Sequence, residues 1–197
     1  KTKGFDLSPH MKFDSNISSN IIKNFLENLL PEGKGKDILT NMYHISKNNI
    51  FALIHLIGKD TTGALTFSFE NKPFETSFRE ISVLELSNRI KDRKNIPIAI
   101  WDGNVRLSVA GVQDKLPVTI LNGKYGFGEG ELASTHILKF ESNNDNLVLN
   151  EYLSLKLASY SGLKVPNVQI VNFEDELVLQ VERFDRELIS NDKVLRK

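Results

Sequence analysis

The 197-residue chain has no cysteine, a single tryptophan, two methionines and no excess of either charge. The absence of thiols excludes disulfides and thiolate metal sites, and it fits a reducing compartment. Lys and Arg number 25 against 25 Asp and Glu, so the formal net charge is zero. That balance excludes a generally basic nucleic-acid binder and leaves room only for a local basic patch. No apolar run approaches the roughly 20 residues needed to cross a bilayer. The opening Lys1-Thr2-Lys3-Gly4 is not followed by the apolar core of a signal peptide, so the expected location is cytoplasmic, away from membranes. A start without Met reads as a trimmed chain. Internal repeats and low-complexity tracts are also missing. What remains is ordinary globular material, 40% hydrophobic and 25% charged, long enough for one or two domains.

Apolar periodicity predicts three short helices that pack on one another. Ile17, Ile21, Phe25 and Leu29 recur every four residues within 17–30, with Ile22, Leu26 and Leu30 beside them, and Pro31 and Gly33 mark the end. Ile38, Met42 and Ile45 give a helix near 36–46, and a third follows Asn49, a suitable N-cap, through Ile50, Phe51, Leu53, Ile54 and Leu56. Gly63–Phe69 alternates apolar with polar and predicts a strand. Ser82-Val83-Leu84-Glu85 is a capping-box pattern that opens a helix running to about Lys91. The charged connector 91–95 marks a boundary between two parts, 1–95 and 96–197.

The second part begins β-rich. Leu116–Leu121 and Lys124–Phe127 flank Asn122-Gly123, a pair favoured in type I′ turns because both central residues need positive φ. Residues 135–140 read as a strand and 145–161 as a helix, with Leu149, Leu153, Leu157 and Tyr160 on one stripe and Gly162 as the C′ residue. Val168–Phe173 and Glu176–Val181 pair around Glu174-Asp175. The fold class is therefore α+β, and the order hairpin, strand, helix, strand, strand resembles the N-terminal lobe of a protein kinase. Fold alone does not establish function, which has to come from the site.

Three segments carry candidate chemistry. In Ser108–Lys115 the small residues Ser108, Ala110 and Gly111 let the backbone approach a ligand, and consecutive N–H groups can cradle phosphate oxygens beside the charge of Lys115. Taken alone, one glycine in a loop between strands is explained more simply by ordinary turn chemistry. Gly126-Phe127-Gly128-Glu129-Gly130-Glu131 is richer in glycine, but its glutamates would repel phosphate, and it reads as a flexible connector. Lys139, late in a strand between apolar neighbours, can be held toward a phosphate, with Glu151 on the next helix to orient it; an exposed edge lysine is the plainer alternative. Glu182-Arg183-Phe184 closes the last strand of the β run, where backbone can bond an adenine edge and Phe184 can pack near the ring. A core phenylalanine beside a surface ion pair fits as well.

Read together, Ser108–Lys115, Thr135–Lys139 and Val181–Arg186 resemble the HipA family of toxin kinases in order and spacing, as do Asn150-Glu151-Tyr152, Ser161–Pro166, Asn28–Gly33 and Ile57–Leu65. The resemblance covers nearly the whole chain. It implies a helical/β N-terminal subdomain over 1–95, incomplete at its start, and a kinase-like N-lobe over 96–197. It further implies an ATP-dependent bacterial serine/threonine kinase toxin of a toxin–antitoxin pair, whose family substrate is glutamate–tRNA ligase, an aminoacyl-tRNA synthetase, so that translation is arrested. A HipB-like antitoxin would restrain it and connect it to DNA only indirectly. Carried over by motif, Ala110, Gly111, Val112, Gln113, Asp114 and Lys115 would contact the ATP phosphates and Lys139 would also bind ATP. Glu182, Arg183 and Phe184 would hold the adenine, and Ser108 would be the autophosphorylated loop serine. A phosphate there would add nearly two negative charges where ATP phosphates belong.

The catalytic part of the family pattern is not in this segment. None of the histidines at 10, 44, 55 and 136 opens an H-x-D motif, and no D-F-G occurs. Phosphoryl transfer needs a base and metal ligands, so the ligands for Mg2+ and the catalytic residues are expected elsewhere and the segment alone is expected to be inactive. Two forms follow: the front of a complete kinase, or a truncated or split non-catalytic module that binds an antitoxin or a separate catalytic lobe.

Overall fold

A computed structural model of the chain describes residues 4, 6–13, 15–61, 63–68, 75–106, 113–141 and 146–197. The first part is helical: α1 (Ser19–Glu27), α2 (Lys34–Tyr43) and α3 (Ile50–Ile57) share a core of Leu26, Leu30, Leu39, Ile50, Leu53, Ile54 and Ile57. Asn49 caps α3 by accepting the Ala52 N–H at 3.2 Å, which satisfies one of the donors that a helix start leaves open. The strand predicted over Gly63–Phe69 does not form. Residues 63–68 are irregular, tied back to the end of α3 by a bond from the Phe67 N–H to the Gly58 carbonyl, and Phe69 lies outside the described residues. The alternation suits a strand, but among the described residues no strand pairs with it.

The second part is built on one antiparallel sheet of six strands in the order β1-β5-β4-β6-β8-β7, whose edge strand β1 comes from before the 91–95 connector. These are β1 (Ser77–Ile81), β4 (Lys115–Leu121), β5 (Lys124–Glu129), β6 (His136–Phe140), β7 (Val168–Phe173) and β8 (Glu176–Glu182). Short ribbons β2 (Ile100–Trp101) with β3 (Asn104–Val105), and β9 (Arg186–Ser190) with β10 (Lys193–Arg196), flank it. Asn122 and Gly123 both take positive φ, 51° and 76°, as a type I′ hairpin requires. Pro117 sits in a central strand without breaking it, since at that point β4 pairs only with β6; pairing with β5 begins at Thr119.

The run 126–131 is not the flexible connector its glycines imply. Residues 126–129 continue β5 against β1. The glycines are there for room: a Cβ at Gly126 would fall 2.4 Å from the Phe78 ring, and one at Gly128 would fall 2.7 Å from Leu132 backbone oxygen. The connector 91–95 likewise contains a 3₁₀ turn, Asp92–Lys94, directly after α4 (Val83–Lys91). Ser82 caps α4 through the Glu85 N–H, while the Glu85 carboxylate binds Arg79.

The two faces of the sheet are covered by different helices. Leu116, Val118, Leu138, Phe140 and Val178 point to α4, whose Leu86 and Ile90 join them with Trp101. Leu179 and Val181 point the other way, to Val148 of α5 (Leu147–Tyr160). Burying side chains of this size stabilises by about 1.5–3 kcal/mol each, which fixes the strand register and so the face of every residue between them. The stripe that signals α5 in the sequence is not its buried face: Leu149, Leu153, Leu157 and Tyr160 are exposed. Gly162 and Leu163 close the helix through bonds to Ser159 and Ala158 carbonyls, the Schellman pattern.

Candidate functional site

Lys139 lies between Leu138 and Phe140, both fully buried against α4. Strand alternation therefore turns Lys139 to the α5 face. There its Nζ meets Glu151 Oε1 of α5 at 2.5 Å, and the two side chains are only 22% and 31% exposed. Lys115 is the antiparallel Cα partner of Lys139 and shares its face. Two lysines thus stand opposite each other, an arrangement that costs stability unless an anion joins them. Burial lowers the pKa of Lys115 and the charge of Lys139 lowers it further, with Glu151 and Glu32 opposing. Glu32 comes from the turn between α1 and α2, so the helical part borders this site.

The loop ahead of Lys115 is described only at its end; Ser108, Ala110, Gly111 and Val112 lie outside the described residues. Gln113 and Asp114 are tied to the end of β6. Gln113 Nε2 donates to the Phe140 carbonyl at 3.2 Å and the Phe140 N–H donates to the Asp114 carbonyl at 3.1 Å. Before the loop, Arg106 packs over the Phe127 ring and bonds Glu129 at 3.2 Å.

Glu182 and Phe184 lie at the other end of the same strands, where Glu182 pairs with His136. His136 and Lys139 are three positions apart on β6, a span of about 10 Å at strand rise. The Glu182 N–H donates to the Asn167 carbonyl and the Arg183 N–H to the Thr135 carbonyl, both at 2.9 Å. Phe184 is 85% exposed, so it is no core residue. Arg183 is the reverse of a surface ion pair: its guanidinium is turned inward, bidentate on Asp185 at 2.8 and 2.9 Å, with Nη1 donating to Ser134 Oγ at 2.8 Å. His136, half-buried, has its pKa lowered by burial, which the nearby Glu182 charge opposes.

Asp185, Arg186 and Ser134 form one bonded cluster with Arg183, and reasoning from the sequence misses them. Their signal there is only the Asp-Arg that follows Glu182-Arg183-Phe184, and its contacts are too distant in the chain to read. Among the described residues no group of three His, Asp or Glu could hold a metal ion, and no helix is long and apolar enough to cross a membrane. The two lysines suit an anion.

Comparison with known proteins matches both parts. The HipA N-terminal domain family matches residues 1–68 and the HipA-like C-terminal domain family matches 107–196. The serine/threonine-protein kinase toxin HipA of Shewanella oneidensis is 47% identical over 196 residues, covering 98% of this chain and 45% of that protein. The putative kinase Y4mE of Sinorhizobium fredii is 29% identical over 177 residues, 82% of this chain and 40% of the relative. Among solved structures, the complex of Shewanella oneidensis MR-1 HipA and HipB with operator DNA superposes with a TM-score of 0.83 at 47% identity, covering 98% of this chain and 46% of that one. The chain spans less than half the length of the curated relatives it matches.

Proposed function

Given that the chain belongs to the HipA family, we propose that it is the nucleotide-binding part of an ATP-dependent serine/threonine protein kinase toxin. The observation that carries this reading is the Lys115–Lys139 pair, half-enclosed on one face of the sheet with Glu151 holding Lys139. A triphosphate would relieve the repulsion between the lysines. About 10 Å along the strand, the Glu182 carbonyl and the Phe184 N–H would bond the base, and the exposed Phe184 ring is available to it. Ala110 to Lys115 would supply backbone N–H groups to the phosphates. ATP is the phosphoryl donor in this reading; what these residues do is bind, orient and neutralise it.

The remaining roles follow from the family. Mg2+ ligands and the catalytic base would come from outside these residues, so the segment alone would be inactive. Ser108 would be the loop serine that receives a phosphate and silences the site. The substrate would be an aminoacyl-tRNA synthetase such as glutamate–tRNA ligase. A HipB-like antitoxin would be the partner, with operator DNA reached through it, since the related Shewanella complex holds HipA, HipB and operator DNA together. The division into a helical subdomain over 1–95 and a kinase-like lobe over 96–197 belongs to the same reading.

A second form, a non-catalytic module that binds a separate lobe, draws support from the exposed stripe Leu149, Leu153, Leu157 and Tyr160 on α5, an apolar surface suited to a packing partner. The intact mass of the native gene product separates the two: a value well above 22.3 kDa gives the first, a value near it the second. The kinase reading itself is tested on that gene product with ATP and Mg2+. Phosphotransfer should be lost in Lys139→Ala, and the loop peptide should carry no phosphate in Ser108→Ala. Full transfer by Lys139→Ala would overturn the site assignment.

A further inference from the structure

Two arginines more deeply buried than the lysines of the site hold a carboxylate between them, immediately after the candidate base-binding edge. The side chains of Arg183, Asp185 and Arg186 are 3%, 14% and 0% exposed. Asp185 receives both arms of the Arg183 fork, Arg186 Nη1 at 2.8 Å and the Gly63 N–H at 3.3 Å. Arg186 in turn donates to the Gly63 carbonyl at 2.8 Å and to the Thr61 carbonyl at 2.9 Å. On the opposite side Arg183 reaches Ser134, and its N–H the Thr135 carbonyl.

Buried ion clusters stabilise little compared with apolar packing of the same volume; what they supply is geometry, because the planar guanidinium fork accepts partners only along fixed directions. Here the fixed directions run from the sheet, at Ser134 and Thr135, through the edge, to the helical part, at Thr61 and Gly63. Phe184 sits between two residues so held, yet is itself exposed. An aromatic ring on a clamped backbone, with most of its surface open to solvent, is placed for an outside partner.

We propose that Asp185 and Arg186 are positioning residues for the adenine edge at Glu182–Phe184, fastening it to Thr61 and Gly63 of the helical part. The inference rests on the nucleotide reading given above and adds that the Asp185–Arg186 link to the helical part sets where the base sits, while Lys115 and Lys139 act on the phosphates without that link.

The test compares ATP with inorganic tripolyphosphate, which offers the phosphates and no base, by calorimetric titration of the full chain. Asp185→Asn and Arg186→Lys should each weaken ATP by about tenfold, roughly one step on the affinity scale, and leave tripolyphosphate within about twofold. Far-ultraviolet circular dichroism checks that both variants fold. Equal weakening of both ligands, or of neither, while the parent chain binds ATP, would overturn the positioning role. A parent chain that does not distinguish ATP from tripolyphosphate, or binds neither, would instead remove the nucleotide reading itself. Should the variants fail to fold, the parent chain decides: amide exchange at Gly63 should slow on adding ATP and not on adding tripolyphosphate, and an unchanged Gly63 would refute the proposal.

Discussion

Replacing Lys115 by Met should make the free protein more stable and its anion site weaker. Met keeps the unbranched stem of the lysine, so packing along the strand is retained. What disappears is a buried ammonium facing Lys139 across an antiparallel pair. Two like charges about 7 Å apart at an effective dielectric near 20 repel by about 2–3 kcal/mol. Glu151, in contact with Lys139, cancels much of that, and a net gain of about 1 kcal/mol is expected once a partly compensated buried charge is removed. For a chain of this size that corresponds to a rise of about 2–4 °C in Tm. The pH dependence has a definite sign. Lys115 has its folded pKa below its ordinary value, so between that depressed value and the unfolded value of about 10.4 the unfolded state holds more protons and stability rises with pH. Lys115→Met should lack this alkaline rise. Urea unfolding at pH 7 and at pH 10, with tripolyphosphate titration alongside, reads both effects. A loss of more than about 1 kcal/mol in the variant at neutral pH would show that Lys115 serves the fold, and the like-charge reasoning would be wrong.

Asp185 gives the opposite pH signature. Burial works against its carboxylate, yet the bonds and charges of Arg183 and Arg186 and the Gly63 N–H prevail and hold its pKa below the usual range. Its stabilisation is complete above the unfolded value of about 3.9 and is lost as pH falls through the lower folded value; acid titration followed by circular dichroism should show this component in the parent and not in Asp185→Asn. Gly128→Ala should destabilise by about 1–3 kcal/mol, since the new Cβ meets Leu132 backbone oxygen at 2.7 Å and Thr119 Oγ1 at 2.8 Å and only the latter can give way. An unchanged denaturation midpoint would show that β5 shifts freely there.

Local chemistry was the legible part of this fold. Asn49 and Ser82 announce helix starts because a short polar side chain before an apolar run has one obvious use, and Asn122-Gly123 announces its turn because few other pairs accept both φ values. Sequence and structure part where the deciding partner is remote. Nothing within Gly63–Ser68 says that no strand lies alongside, and nothing within 126–131 reveals that Phe78, almost fifty residues earlier, occupies the space a side chain would need. The same holds at the site. Lys139 and Glu151 are 12 residues apart in one strand–helix unit, so their pairing was accessible from spacing. Opposition of Lys115 and Lys139 needs the β4–β6 register, the inward turn of Arg183 needs Ser134, 49 residues away, and that of Arg186 needs Thr61, 125 residues away.

Whether the lysine pair is the phosphate end of a nucleotide site is tested most directly by titrating ATP into the full chain and into its Lys139→Ala variant, at fixed low ionic strength. Saturable binding by the parent that weakens by tenfold or more in the variant, about 1.4 kcal/mol or above, is the expected result. Equal affinity of the two chains for ATP would contradict it.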